Sequence, residues 1–232
     1  MRLTVHDLAR MIDLSAVRAE VDLAEVRELA VQAAKHRCVC VFVMPCYMSE
    51  MKALLADAPD VGLGGVVGFP SGAHATAIKA AEARGLLSEG ADELDMVINV
   101  GMLRSGLCEH VASDIKAVVD AARGTPVKVI LEAHYLSDDQ IRRGAELCVR
   151  AGAAFVKTGT GWAPTGATAH NVALIKSVVG GAAGIKAAGG IRSLDTMVEL
   201  YRRGATRFGI GLSSGVRILE ECAALSGGAV EV

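Results

Sequence analysis

The run Ala151-Gly152-Ala153-Ala154-Phe155-Val156-Lys157-Thr158-Gly159-Thr160-Gly161 joins a helix end, an apolar strand and a glycine-rich turn with no residue to spare. Glycine just past a helix can take the left-handed conformation and turn the chain into the next strand. Upstream, Ser137-Asp138-Asp139-Gln140 reads as a capping box, with serine at the N-cap and glutamine returning to its amide, so a helix is predicted over 138–151. The same helix–Gly-Ala–strand joint recurs at Glu89-Gly90-Ala91 and Arg203-Gly204-Ala205. A joint that repeats in this way marks a repeated βα unit.

On either side of this run, apolar stretches of strand length alternate with helical patterns. Strands are predicted at 11–14, 38–44, 62–69, 94–100, 127–133, 155–159, 184–188 and 207–212. Helices are predicted at 22–35, 49–57, 75–89, 107–123, 138–151, 169–179, 194–203 and 215–224, with Ser193 and Asp195 opening the next-to-last. Eight such units argue for an α/β fold, a closed (β/α)8 barrel, over an open doubly wound sheet. No linker or low-complexity stretch interrupts them, so residues 1–232 are read as one domain. No Gly-x-Gly-x-x-Gly follows an early strand, which weakens a dinucleotide-binding reading.

Composition agrees. The chain is 52% apolar but only 3% aromatic, so its core must be aliphatic, as suits parallel strands covered by Ala-rich helices. A net charge of −2 without a basic cluster gives no footprint for nucleic acid. Residues 1–13 lack the uninterrupted apolar run of a signal peptide, and nothing approaches the roughly 18 apolar residues that span a bilayer. The six cysteines are scattered, so reduced thiols in a cytoplasmic protein are expected, and no Cys or His spacing suggests a zinc site.

Two lysines, Lys157 and Lys186, occupy consecutive strand-like runs that both open into glycine. Either alone could lie at a strand end with its head in water. As a pair on one barrel face they would repel: at about 5 Å and an effective dielectric near 20, by roughly 3 kcal/mol. That lowers the pKa of at least one toward the range where a neutral amine can add to a carbonyl. In 93–99, alternation leaves Asp95, Val97 and Asn99 facing inward. Asp95 could relay protons with Lys186 or simply neutralise a lysine. Lys128 and Glu132, joined by Asp13, are expected to form a buried ionic layer under the site. Gly189-Gly190 and Gly211-Leu212-Ser213-Ser214-Gly215 open the turns after the last two strands, where barrels often hold phosphate, although Ser-Ser-Gly could merely cap the final helix.

With these pieces, the chain resembles the deoxyribose-phosphate aldolases, class I Schiff-base aldolases on a (β/α)8 barrel. The likeness rests on 90–99 (Gly-Ala-Asp-Glu-Leu-Asp-Met-Val-Ile-Asn), Phe155-Val156-Lys157-Thr158 with Thr160-Gly161, and Lys186-Ala187-Ala188-Gly189-Gly190-Ile191-Arg192. Val66-Val67-Gly68-Phe69-Pro70 and Val127-Lys128-Val129-Ile130 are similar to the family's strands as well. The resemblance implies that Lys157 forms the Schiff base, Lys186 depresses its pKa and Asp95 assists proton transfer through an ordered water. It further implies that Thr160 lies near the sugar hydroxyls and that Gly161, Gly189, Gly190, Ser213 and Ser214 hold the phosphate. The implied reaction is reversible cleavage of 2-deoxy-D-ribose 5-phosphate to D-glyceraldehyde 3-phosphate and acetaldehyde, with neither metal nor organic cofactor, by a homodimer or homotetramer.

Several positions depart from the family's common pattern. Met44 replaces an asparagine, Gly159 a serine, and Ala133 a threonine. These changes point to altered pocket polarity. They leave open an aldolase of the same mechanism acting on another short sugar phosphate, or a sugar-phosphate-binding barrel without turnover.

Overall fold

A computed structural model describes residues 1–232. A short strand, β1 (Arg2–Thr4), pairs antiparallel with the last, β10 (Ala229–Glu231). Between them, β2 (Ile12–Ala16), β3 (Cys40–Val43), β4 (Gly62–Val67), β5 (Glu93–Val97), β6 (Val127–Ile130), β7 (Phe155–Lys157), β8 (Gly184–Ala188) and β9 (Arg207–Gly211) close into a parallel barrel, β9 pairing back onto β2. Helices cross over between successive strands, as parallel neighbours require. All three predicted joints have glycine at positive φ: Gly90, Gly152 and Gly204. Ser137 and Gln140 form the expected capping box, and the Ser193 hydroxyl accepts the Thr196 N–H.

Strand alternation divides the side chains into two populations. Leu94, Met96, Ile98, Val156, Ile185 and Ala187 belong to one continuous apolar layer between barrel and helices. Their sequence neighbours Asp95, Lys157 and Lys186 point into the barrel and are buried there. Register sets Lys157 directly beside Lys186, and Asp95 directly beside Lys128.

Several predicted ends move, each for a local reason. The strand predicted over 94–100 stops at Val97, because the Asn99 side chain accepts the Met102 N–H at 3.1 Å and caps a short helix, Val100–Arg104. Asn99 is therefore a helix cap and not an inward strand residue. The strand predicted over 127–133 stops at Ile130. Glu132 there takes a left-handed conformation (φ 53) that leads into the 3-10 turn Ala133–Tyr135. The final helix begins at Leu212, not at 215, with Gly211 at its N-cap and no side-chain cap bond, so Ser213 and Ser214 lie in its first turn and cap nothing.

The outer layer also holds a lysine that apolar periodicity conceals. Lys79, fully buried, donates to Asp114 Oδ2 at 2.7 Å and to the Val97 carbonyl at 2.9 Å, and Thr76 donates to the other Asp114 oxygen. Burial pushes its pKa down and the Asp114 carboxylate opposes that shift. This pair ties the helix Thr76–Ser88 to the helix Cys108–Ala121 and to the end of the strand that carries Asp95. Asp114→Ala strands a buried ammonium and should cost about 3–5 kcal/mol in urea unfolding. Lys79→Met with Asp114→Leu, which removes both charges, should cost far less. Equal losses in the two variants would contradict the pairing.

Candidate active site

At the carboxyl ends of the strands lies a cavity of about 300 Å³. Its walls include Lys157, Lys186, Thr160, Gly161, Gly189, Gly190, Ser213 and Ser214. Asp95 is not on the wall. It lies beneath, fully buried, and its Oδ2 accepts from both Lys157 Nζ at 2.7 Å and Lys186 Nζ at 2.6 Å. Sharing one oxygen puts the two amines no more than about 5 Å apart, where like charges still repel appreciably.

Below them is an ionic floor wider than predicted. Lys128 Nζ contacts Glu93 Oε2 at 2.6 Å, Asp95 Oδ1 at 3.1 Å and Asp13 Oδ2 at 3.5 Å. Lys186 Nζ also meets Asp13 Oδ2 at 2.5 Å. Arg207 bridges Asp13 and Glu93, at 2.6 Å to each. Asp13 and Lys128 take their expected places, but Glu132 does not. Its carboxylate turns up to accept the Thr160 backbone N–H at 3.2 Å and the Thr160 hydroxyl. Glu93 and Arg207 complete the floor in its stead. Asp13 and Glu93 also place oxygens near Cys40 Sγ in a ligand-like cluster, yet Lys128 and Arg207 already neutralise both carboxylates.

The count of charges decides which base is spare. Lys128, Lys157, Lys186 and Arg207 face only Asp13, Glu93 and Asp95. Lys128, Lys186 and Arg207 each touch two or more carboxylates, whereas Lys157 touches one. Lys157 is thus the group that sheds its proton most easily. Burial lowers its pKa most. Asp95 opposes that, and the Lys186 and Lys128 charges add to the lowering, for a net fall to about 8. Desolvation is the larger cause, and the Lys186 charge acts in the same direction. For Asp95, burial alone would raise the carboxyl, but Lys128, Lys157 and Lys186 outweigh it and hold it well below the usual range.

The two glycine turns are drawn together by backbone contact. A Cβ at Gly166 would stand 2.2 Å from the Gly189 carbonyl oxygen, and the Ala167 N–H donates to that oxygen at 2.9 Å. Gly189 and Gly190 have φ of 89 and 77, conformations open to glycine. Beside them the N-terminus of the helix Leu212–Ala223 points its free amides at the same end of the cavity, an arrangement that suits an anion. Arg192, also on the wall, makes no ion pair and adds a cation there; in the sequence it is marked only as the last residue of the run Lys186–Arg192.

Other contacts fix the loops. Thr158 Oγ1 donates to the Ala188 carbonyl and accepts the Ala188 N–H, each at 2.9 Å, clamping the ends of β7 and β8. Thr160 Oγ1 gives its proton to Glu132 and accepts the Trp162 N–H at 3.0 Å, so it can only accept from a ligand hydroxyl. The Trp162 indole donates to the Val17 carbonyl at 2.8 Å and meets Phe69 edge to face, closing one side of the mouth. Met44, Gly159 and Ala133 are all absent from the cavity wall, which corrects the expectation that these departures alter pocket polarity.

Comparison with known proteins points one way. Residues 6–221 match the profile described as DeoC/LacD family aldolase. The deoxyribose-phosphate aldolase of Sinorhizobium medicae is 46% identical over 230 residues, covering 99% of this chain and 93% of that protein. That of Klebsiella pneumoniae is 45% identical, covering 95% and 90%. The tetrameric deoxyribose phosphate aldolase of Aeropyrum pernix superposes with a TM-score of 0.87 at 32% identity, covering 96% of this chain and 94% of that one.

Proposed function

Because the chain belongs to the DeoC/LacD family of aldolases, we propose that it is a class I deoxyribose-phosphate aldolase whose Schiff base forms on Lys157. The observation that carries this reading is the single cavity-wall amine with its pKa lowered to about 8, sharing Asp95 Oδ2 with Lys186.

The free amine of Lys157 adds to the C1 aldehyde of the open-chain sugar, and loss of water gives an iminium. That cation draws the electron pair of the C2–C3 bond as the C3 hydroxyl loses its proton, so C3 to C5 leave as glyceraldehyde 3-phosphate. The enamine left on Lys157 is protonated at C2 and hydrolysed to acetaldehyde, which restores the amine. Each step moves a proton close to Lys157. Asp95 Oδ2, within hydrogen-bond distance of both lysine nitrogens, offers a short route between them. Thr160 Oγ1 accepts from a sugar hydroxyl. The amides at Gly161, Gly189, Gly190, Ser213 and Ser214, with Arg192, hold the phosphate.

On this reading residues 1–232 act as one domain. The Aeropyrum pernix relative supports a homo-oligomer. No helix is long and apolar enough to cross a membrane, and the six free thiols suit a reducing cytoplasm.

Incubation with acetaldehyde and borohydride should add a two-carbon ethyl group to Lys157, found by mass spectrometry, and deoxyribose 5-phosphate should be cleaved. Modification elsewhere would overturn the assignment, and trapping without cleavage would point to a different sugar phosphate. Replacing Ser214 by proline removes an amide from the helix's first turn. It should weaken use of deoxyribose 5-phosphate about tenfold through KM while leaving free deoxyribose little affected. Equal losses on both substrates would remove the phosphate site from this end of the cavity.

A further inference from the structure

We propose that Phe42 is a positioning residue for this reaction, its ring face holding the Lys186 ammonium against Asp13 and Asp95 beside Lys157. The inference rests on the Schiff-base reading above. Phe42 lines the cavity, is 2% exposed, and sits in register with Ser15 on β2 and Gly64 on β4. Gly64 lets the ring lie across the barrel, since a Cβ there would stand 2.3 Å from the ring's Cζ. From β3 the ring reaches the opposite wall, where Lys186 Nζ lies 4.0 Å from its centroid and Lys128 Nζ 4.5 Å.

An ammonium group has three N–H donors. Lys186 donates one to Asp95 Oδ2 at 2.6 Å and is ion-paired with Asp13 Oδ2 at 2.5 Å, and the ring centroid stands 4.0 Å from the same nitrogen. The face of an aromatic ring is its negative side, and its hold on a cation is greatest where water is excluded. A water in that place would be a mobile partner; the ring is a fixed one.

The same construction is repeated in the barrel. Phe155 on β7 lies over Gly184 on β8, where a Cβ would stand 2.4 Å from the ring, and the Arg207 guanidinium carbon is 6.0 Å from its centroid. Both phenylalanines of the barrel interior therefore face a cross-strand glycine and a cation of the ionic floor. In a chain with only four phenylalanines, that pairing argues against mere filling of space.

Charged groups face the two catalytic-site lysines from every neighbouring strand. Asp13 comes from β2, Glu93 and Asp95 from β5, Lys128 from β6 and Arg207 from β9. A change confined to the Phe42 ring leaves all of them in place, so its effect on Lys157 runs through Lys186 and Lys128.

The test keeps the ring's shape and drains its face: phenylalanines with one, two and three ring fluorines are placed at position 42, and acetaldehyde–borohydride trapping on Lys157 is followed against pH. We expect the trapping midpoint to climb stepwise by about 0.5 in pH, roughly threefold less free amine near neutrality, because a loosened Lys186 ammonium repels Lys157 less. kcat should fall in step. A flat midpoint and kcat across the series, with at most a drift in Tm, would overturn the proposal and leave Phe42 as packing. Trapping on another lysine in the unaltered protein would instead remove the Schiff-base reading itself, so the two failures are distinct.

Discussion

Lys157→Met should abolish cleavage of deoxyribose 5-phosphate and, at neutral pH, should make the protein harder to unfold. The first effect follows from covalent catalysis: without the amine there is no iminium to accept the C2–C3 electron pair, and a loss of at least about 10⁴-fold is expected. The second follows from the cost of the native lysine. Its pKa is lowered to about 8 by burial, while in the unfolded chain it has the ordinary lysine value of 10.5. Below about pH 8 both states carry the proton, and the folded protein bears the full penalty of a buried charge with a share in one carboxylate. Between about 8 and 10.5 the folded state has shed its proton and the unfolded state still binds one, so stability rises with pH across that window. Methionine is free of the penalty. Its gain, about 1–3 kcal/mol at pH 7, should shrink as pH climbs toward 10.5. Urea unfolding of both proteins at neutral and at high pH measures this directly. A variant no more stable at pH 7 would contradict the burial account, and substantial residual turnover would contradict covalent catalysis.

That lysine could be found in the sequence because parallel strands buried on both faces are expected to be apolar throughout. A lysine within Phe155-Val156-Lys157 breaks the rule, as Lys186 does in the next strand and Asp95 in an earlier one. The same exception was visible at Glu93 and Arg207, two residues from Asp95 and at the start of β9. Each stands at the first residue of its strand, and only closure of the barrel brings β9 back to β2 and Arg207 onto Asp13. Glu132 misled for the opposite reason. Period-two counting carried it inward from Lys128, but its left-handed backbone breaks the period and aims the carboxylate at Thr160. Lys79 lay hidden inside the Ala-rich pattern of its helix, since its partner Asp114 is on another helix and no local spacing links them. The terminal strands Arg2–Thr4 and Ala229–Glu231 are too short to show a period and exist by pairing with each other. Order and type of elements were thus legible from repeating local chemistry. The ionic floor was legible only in part, because its partners are set by register around a closed sheet.

Asp95→Asn should separate the two roles that an acid among lysines can play. Asp95 is the group that most strongly opposes the lowering of the Lys157 pKa, through its charge and then through its hydrogen bond. With an amide there, Lys157 becomes still easier to deprotonate, and trapping by acetaldehyde and borohydride should extend to lower pH. If Asp95 served only to neutralise charge, turnover near pH 7 would hold or rise with the larger fraction of free amine. If it also passes protons between Lys157, Lys186 and the substrate, turnover should fall about 10²–10⁴-fold despite that gain. We expect the fall, and sustained turnover in a folded variant would leave Asp95 a counter-ion only. Stability has its own signature. The variant leaves four bases facing Asp13 and Glu93, and about 3–5 kcal/mol should be lost. Because the Asp95 carboxyl is held below its ordinary value of 3.8, its contribution is complete above that pH and fades as acid protonates it in the folded state. The gap between wild type and Asp95→Asn should therefore narrow as pH falls below about 4. A gap that stays constant through acid unfolding would mean that the three lysines are not what hold this carboxylate ionised.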